Sequence, residues 1–201
     1  MAYRYTSQGK EYQKGMVKLS RNRLIVIMVL IVAVSALTYN LFMQQTPKPI
    51  YTWNYHGRII GFRADLREAA KVPVYPNEQA VYLDTIHYLV KNVTIAFKDA
   101  GESENPYYIL QEIELIKGLK LAYARKNISV SFNAMPVESY EHLPGKIQNP
   151  IIALVHPIYA NETAIRNKGH VTYISGKTHE DFDLAVVKFL MIILRIDIEE
   201  D

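Results

Sequence analysis

The stretch Gly176-Lys177-Thr178 is the part of the sequence most similar to a phosphate-binding loop. It follows a β-branched run and precedes a long apolar segment, which is the strand, loop and helix context of such loops. A Walker A loop also needs a glycine five positions before the Gly-Lys pair, and Val171 stands there. The acids of the following segment would repel phosphate from a helix N-terminus. We therefore predict a turn that Gly176 permits and a helix that Thr178 caps, with no nucleotide and no other cofactor.

Histidines are the second source of possible chemistry. A zinc or catalytic site needs several converging ligands, and no two histidines have the His-x-x-x-His spacing of a helical metal motif, so the sequence assigns no metal site. His156 ends a predicted strand, where α/β proteins commonly place functional groups. His179 and Asp183 are four residues apart at the start of the predicted last helix. These three are the candidate catalytic residues, in a chain without a cysteine nucleophile or a Gly-x-Ser-x-Gly motif.

Three sequons are candidates for N-glycosylation, and they begin at Asn92, Asn127 and Asn161. All three lie in the part of the chain that we expect outside the cell. Asn92 and Asn127 also stand just before predicted strands, where asparagine is an ordinary turn residue. The sequence therefore does not decide whether Asn92 and Asn127 are glycosylated or serve as turn residues.

The N-terminal part of the chain predicts a membrane anchor. Residues 1–23 carry a net charge of +5 and form a basic tail, whereas the rest of the chain carries −2. Residues 24–43 have no formal charge and are long enough for a transmembrane helix. Because the basic residues precede this span, the positive-inside rule places the N-terminus in the cytoplasm. A cleaved signal peptide ending near Ala36 is the alternative.

The remaining chain predicts one extracytoplasmic α/β or α+β domain. A short linker at residues 44–50 contains two prolines and leads into a domain of residues 51–201. A hairpin follows the linker, and helices then alternate with strands, which predicts a mixed sheet flanked by helices. Because the chain has no cysteine, this domain has no disulfides and depends on an ordinary core. We expect strands at 92–99, 127–132, 150–157 and 170–175, and helices at 76–90, 104–126 and 179–195.

The last fifty residues resemble a family of archaeal membrane-anchored proteins. The segments that carry the resemblance are NPIIALVHP and NETAIRNKGHVTYISGKTHEDFDLAVVKFLMIIL, at residues 149–157 and 161–194. They are also faintly similar to the terminal domain of archaeal surface-layer proteins. The resemblance implies a cell-envelope location and an extracytoplasmic α/β domain behind a single membrane span. It implies no catalytic residue.

These observations predict a single-pass protein of the cell membrane with its C-terminal domain outside. Net charge is only +3 for the whole chain, so no nucleic-acid partner is expected. We predict a non-enzymatic accessory or structural subunit that contacts another envelope protein, or a second copy of itself, through the sheet edge, the apolar last helix or the span. The alternative is an anchored hydrolase or metal- or ligand-binding domain that uses His156 and His179. Convergence of His156, His179 and Asp183 would favour this alternative.

Overall fold

The structure is a computed structural model that describes residues 51–102 and 104–198. The predicted basic tail, membrane span and linker, at residues 1–50, lie outside the described residues. Within the described part of the chain, no helix is both long and apolar enough to cross a membrane.

The described residues form a two-stranded hairpin, a six-stranded sheet and four α-helices. The strands are β1 (Tyr51–Tyr55), β2 (Arg58–Phe62), β3 (Val74–Tyr75), β4 (Asn92–Phe97), β5 (Ser131–Pro136), β6 (Ile151–Val155), β7 (Ala164–Lys168) and β8 (Val171–Ser175). The helices are α1 (Leu66–Ala70), α2 (Glu78–Thr85), α3 (Asn105–Arg125) and α4 (His179–Leu194), and a 3₁₀ turn covers Pro157–Tyr159.

The sheet is mixed, with strand order β3-β7-β8-β6-β4-β5. Strands β5, β4, β6 and β8 run parallel, and β7 pairs antiparallel with β8. Helices flank this sheet, so the predicted α/β class with a mixed sheet is confirmed. Helix α3 connects β4 to β5 at one edge, whereas the chain after β6 leads to β8 on the other side of β4.

Two apolar clusters pack on the sheet. All four helices contribute to the larger cluster, which includes Ile95 of β4 and Leu154 of β6. The smaller cluster contains Ala96, Ala153 and their neighbours, and the segment after β5 packs on it through residues such as Leu143. The strand IIALV is therefore buried by both clusters, as its continuous apolar run predicts.

Helix α4 is part of the core. From Phe182 to Leu194 it is buried at every position except Asp183 and Leu184. In the described domain, its apolar surface is therefore covered by the rest of the fold.

The local predictions differ from the structure in several places. The strand expected at 127–132 begins only at Ser131, because Asn127 follows α3 in the left-handed conformation (φ 55°) and turns the chain. Strand β7 was not predicted, and neither was α1. Helix α3 begins at Asn105, one residue after its predicted start, and Glu104 occupies the capping position.

Candidate functional site

The candidate site lies where three parallel strands end. The carboxyl ends of β4, β6 and β8 lead to Glu104, His156 and His179, respectively. The connections leave the neighbouring strands β4 and β6 in opposite directions across the sheet. The chain after β4 leads to β5 at one edge, and the chain after β6 leads towards β8 on the other side. Open α/β sheets bind ligands in the crevice at such a switch point.

The three side chains meet there and form what we call the Glu-His-His cluster. The Oε2 atom of Glu104 lies 2.9 Å from Nε2 of His179 and 3.2 Å from Nε2 of His156. The two Nε2 atoms are 3.4 Å apart. Among the described residues, these three form the one group of at least three potential ligands that could hold a metal ion.

The cluster has a closed side and an open side. The side chain of His156 is fully buried, whereas half of the His179 side chain is exposed and Glu104 is intermediate. Burial lowers the pKa of His156, and this effect outweighs the opposing attraction of the Glu104 carboxylate. The buried imidazole is therefore biased towards its neutral form, which is the form that binds metals.

Tyrosine hydroxyls hold the backbone that carries His156. The Tyr108 hydroxyl accepts a 3.1 Å hydrogen bond from the His156 N–H, and Tyr140 donates to the Leu154 carbonyl. The two hydroxyls are 3.3 Å apart. Since both tyrosines are largely buried, this pair ties α3 and the segment after β5 to the end of β6.

A hydrogen-bonded loop positions Glu104. The Oδ1 atom of Asp99 accepts bonds from the Gly101 N–H (2.9 Å) and the Asn105 side chain (3.0 Å). These bonds lower the pKa of Asp99, with the Gly101 bond contributing most. The Glu104 side chain makes no capping bond to its own helix. Its carboxylate is therefore free to contact the histidines.

The joint between β8 and α4 positions His179. Thr178 caps α4, because its hydroxyl accepts a 3.1 Å bond from the Asp181 N–H, as predicted. Gly176 is buried against the first turn of α4, and a Cβ there would approach the backbone of Phe182 to less than 3.0 Å. The glycine is thus required by close packing between the joint and the helix, and Lys177 points outward as an exposed residue.

Asp183 is adjacent to the cluster but is not one of its three ligand groups. Its Oδ1 atom accepts a 2.6 Å bond from the Tyr107 hydroxyl and a bond from the Gln111 side chain. The Tyr107 ring packs against His179, with ring centroids 4.6 Å apart. The structure therefore brings two of the three candidate residues together and places Asp183 behind them, where it fixes the tyrosine that supports His179.

Sequence reasoning missed Glu104, and it kept metal binding only within the alternative function. Helical metal motifs are recognised by fixed spacings, whereas these ligands come from three segments that only the sheet unites. One signal was present, because each residue lies at the end of a predicted strand or within a few residues after it. Parallel strands bring such residues to one edge.

The three sequons have different surroundings. Asn127 and Asn161 are exposed. Asn92 is half-buried, and its amide nitrogen donates a 2.9 Å bond to Asn149. The Thr94 hydroxyl of the same sequon donates to the same oxygen. The Asn92 sequon therefore has a structural use within the fold.

Comparison of the chain with protein-family models, curated proteins and solved structures found no match. The resemblance to archaeal membrane-anchored proteins stays a prediction, and the functional argument rests on the geometry of the cluster.

Proposed function

We propose that the protein is a membrane-anchored cell-envelope protein whose α/β domain binds a divalent transition-metal ion through the Glu-His-His cluster. The observation that carries the metal proposal is the approach of three ligand atoms, from three separate segments, to between 2.9 and 3.4 Å. The anchor is supported by the uncharged run at residues 24–43.

The three distances suit a small metal ion. The circle through the three ligand atoms has a radius of about 1.8 Å, whereas zinc bonds to nitrogen and carboxylate oxygen are about 2.0–2.2 Å long. Glu104, His156 and His179 would therefore hold such an ion without a large rearrangement. Because half of the His179 side chain is exposed, water or a substrate would reach an ion held there.

The ligand types narrow the choice of metal. Two imidazoles and one carboxylate suit zinc and other late transition metals better than magnesium or calcium, which prefer oxygen ligands. Two histidines and one glutamate with an open position are a donor set used by zinc hydrolases. Activation of a water molecule for hydrolysis is therefore the reaction class that this site supports best.

The same contacts can also exist without a metal. The Nδ1 atom of His156 accepts a long, 3.4 Å bond from the Ile158 N–H, so the ring proton belongs on Nε2, from where it can be donated to Glu104. Metal binding at Nε2 must displace that proton. We therefore expect binding to release or relocate a proton and to weaken as the pH falls below the usual imidazole range.

The test is calorimetric titration of zinc into the purified full-length chain, after chelation and dialysis. We expect one site per chain, and we expect Glu104→Gln and His179→Gln each to weaken binding by more than about a hundredfold. His142→Gln is the matched control, because His142 is exposed and lies outside the cluster. Wild-type protein that binds no zinc, or variants that bind like the control, would reject the metal proposal.

Turnover separates metal binding from catalysis. The zinc-loaded chain is assayed against activated ester and phosphodiester substrates, with His179→Gln as the inactive reference. Zinc-dependent hydrolysis that this variant loses would support the hydrolase assignment. Stoichiometric zinc binding without turnover would restrict the proposal to a metal-binding domain.

A second function, contact with another envelope protein, is favoured by the β5 edge of the sheet. In the described domain β5 pairs only with β4, and most of its residues are exposed. Helix α3, which precedes β5 in the chain, exposes the side chains of Ile109 and Ile113 one turn apart. Recovery of one partner from native membranes by the wild-type chain, and its loss with Ile109→Lys/Ile113→Lys, would support this function. Equal recovery by both chains would argue against this surface.

A further inference from the structure

A basic groove lies among the ends of α3, α4 and the β1–β2 hairpin. It consists of two cavities of about 240 and 270 Å³ that share Tyr55 and Arg125 as lining residues. In the described part of the chain, no carboxylate lines either cavity. Four cationic side chains line them: Arg58, Arg125, Lys126 and Arg195. Among the described residues, none of these four cations forms an ion pair with a carboxylate.

Aromatic rings hold three of these cations in place. The Arg195 guanidinium lies 4.2 Å from the centroid of the Tyr82 ring, and the Lys126 ammonium lies 5.6 Å from the same centroid. Arg125 donates a 3.0 Å hydrogen bond to the Tyr55 hydroxyl. An arginine has five N–H donors, so this bond leaves most of the guanidinium available to a ligand.

A structural role accounts for only part of this charge. Arg125 and Lys126 end α3, and Arg195 ends α4, where cations balance the negative end of the helix dipole. Each helix end is equivalent to roughly half a negative charge, so two helices balance about one of the four cations. About three of the four positive charges in the groove are therefore balanced neither by a helix end nor, among the described residues, by a carboxylate in the lining.

We propose that the basic groove binds a phosphate-type anion. Planar guanidinium groups match the oxygens of phosphate, and an ammonium adds a point charge. Because the sequence predicts a membrane span, a lipid phosphate headgroup is one source of such an anion, and free phosphate is the other. This site is distinct from the Glu-His-His cluster, whose donor groups favour cations.

The test follows arginine modification by phenylglyoxal, residue by residue, with mass spectrometry. The full-length chain is placed in nanodiscs of zwitterionic lipid with and without inorganic phosphate, and separately in nanodiscs of anionic phospholipid without it. Arg67 is the internal control, since it is exposed on α1 and outside the groove. Bound phosphate at ten times its dissociation constant should slow modification of Arg125 and Arg195 about tenfold and leave Arg67 unchanged.

The two arms identify the source of the anion. Protection by added phosphate in zwitterionic nanodiscs indicates a soluble ligand, and protection in anionic nanodiscs alone indicates a lipid headgroup. Lys126→Gln should weaken the affinity for the anion about fivefold, whereas the exposed control Lys146→Gln should not change it. The proposal would be overturned if the modification rates of Arg125 and Arg195, like that of Arg67, were the same in all three conditions.

Discussion

Replacing Gly176 by alanine tests whether the joint between β8 and α4 positions the candidate site. The added Cβ would lie closer than 3.0 Å to the backbone nitrogen and Cα of Phe182, in the first turn of α4. Backbone atoms of a capped, buried helix cannot rotate away as a side chain can. The whole N-terminus of α4, including His179, must therefore move.

The expected destabilisation follows from comparison with a second glycine. At Gly118 on α3, a Cβ would also approach to less than 3.0 Å, but the atom it meets is the Cδ2 tip of Leu190. Overpacking in a core costs about 1–3 kcal/mol, and alanine regains about 1 kcal/mol of helix propensity at Gly118. We therefore expect a loss of about 0–2 kcal/mol for Gly118→Ala. Gly176 precedes the helix, so it gains no such compensation, and we expect about 3 kcal/mol or more.

Thermal unfolding and zinc titration of both variants provide the assay. For a domain of this size, 3 kcal/mol corresponds to a Tm decrease of about 6–12 °C. Gly176→Ala should also lose zinc affinity while it is still folded, because His179 moves away from Glu104, whereas Gly118→Ala should keep its affinity. Refutation would be a Gly176→Ala chain as stable as Gly118→Ala and equally able to bind zinc, since the joint would then not determine the position of His179.

Three further predictions concern other parts of the domain. Burial raises the pKa of Glu114 to about 7 in spite of nearby Arg63, and among the described residues its Oε1 atom has no hydrogen-bond partner. The stability that depends on the protonated carboxyl is complete below about pH 4.5 and is lost as the pH rises through about 7. The Tm of Glu114→Gln should therefore exceed that of the wild type by more at pH 8 than at pH 5, and a constant difference would contradict this. Lys188, buried in α4, pairs at 2.6 Å with half-exposed Glu78. The free energy of unfolding of Lys188→Met, measured in denaturant, should stay within about 1 kcal/mol of the wild-type value. A loss above about 3 kcal/mol would show that the ion pair is essential. In a host that glycosylates the chain, peptide mass spectrometry should find glycans on Asn127 and Asn161 but not on Asn92, whose amide is bonded to Asn149; a glycan on Asn92 would contradict that assignment.

The sequence predicts the fold class well where each element has a local signal. The apolar run of β6 and the periodic pattern of α3 identify these elements without knowledge of their neighbours. Strand β7 has a weaker signal, because its exposed positions are polar and its partner β8 determines its register. The sequence contains one clue, because a glycine at position 169 is typical of a tight hairpin turn. In the structure, Gly169 and His170 both have positive φ and form the two-residue turn of a β7–β8 hairpin.

The candidate site could be predicted only in part. His156 was found because a residue at the end of a buried strand faces the crevice of an α/β sheet. Its partners could not be paired from the sequence, because Glu104 and His179 are separated from it by 52 and 23 residues. Which strand ends become neighbours depends on strand order, and strand order depends on long-range packing. The distances that make the cluster a candidate metal site therefore depend on the tertiary fold alone.

The Gly-Lys-Thr joint differs from a phosphate loop in how its backbone N–H groups are used. A phosphate loop works because backbone N–H groups before a helix are free to face the ligand. Here the Lys177 N–H donates to the Thr163 hydroxyl, and those of Asp181 and Phe182 donate to Thr178. These three amides are already used within the joint, and the side chains that meet at the strand ends are two imidazoles and a carboxylate. Such groups attract a metal ion, and the joint that resembles a nucleotide loop serves to bring His179 to them.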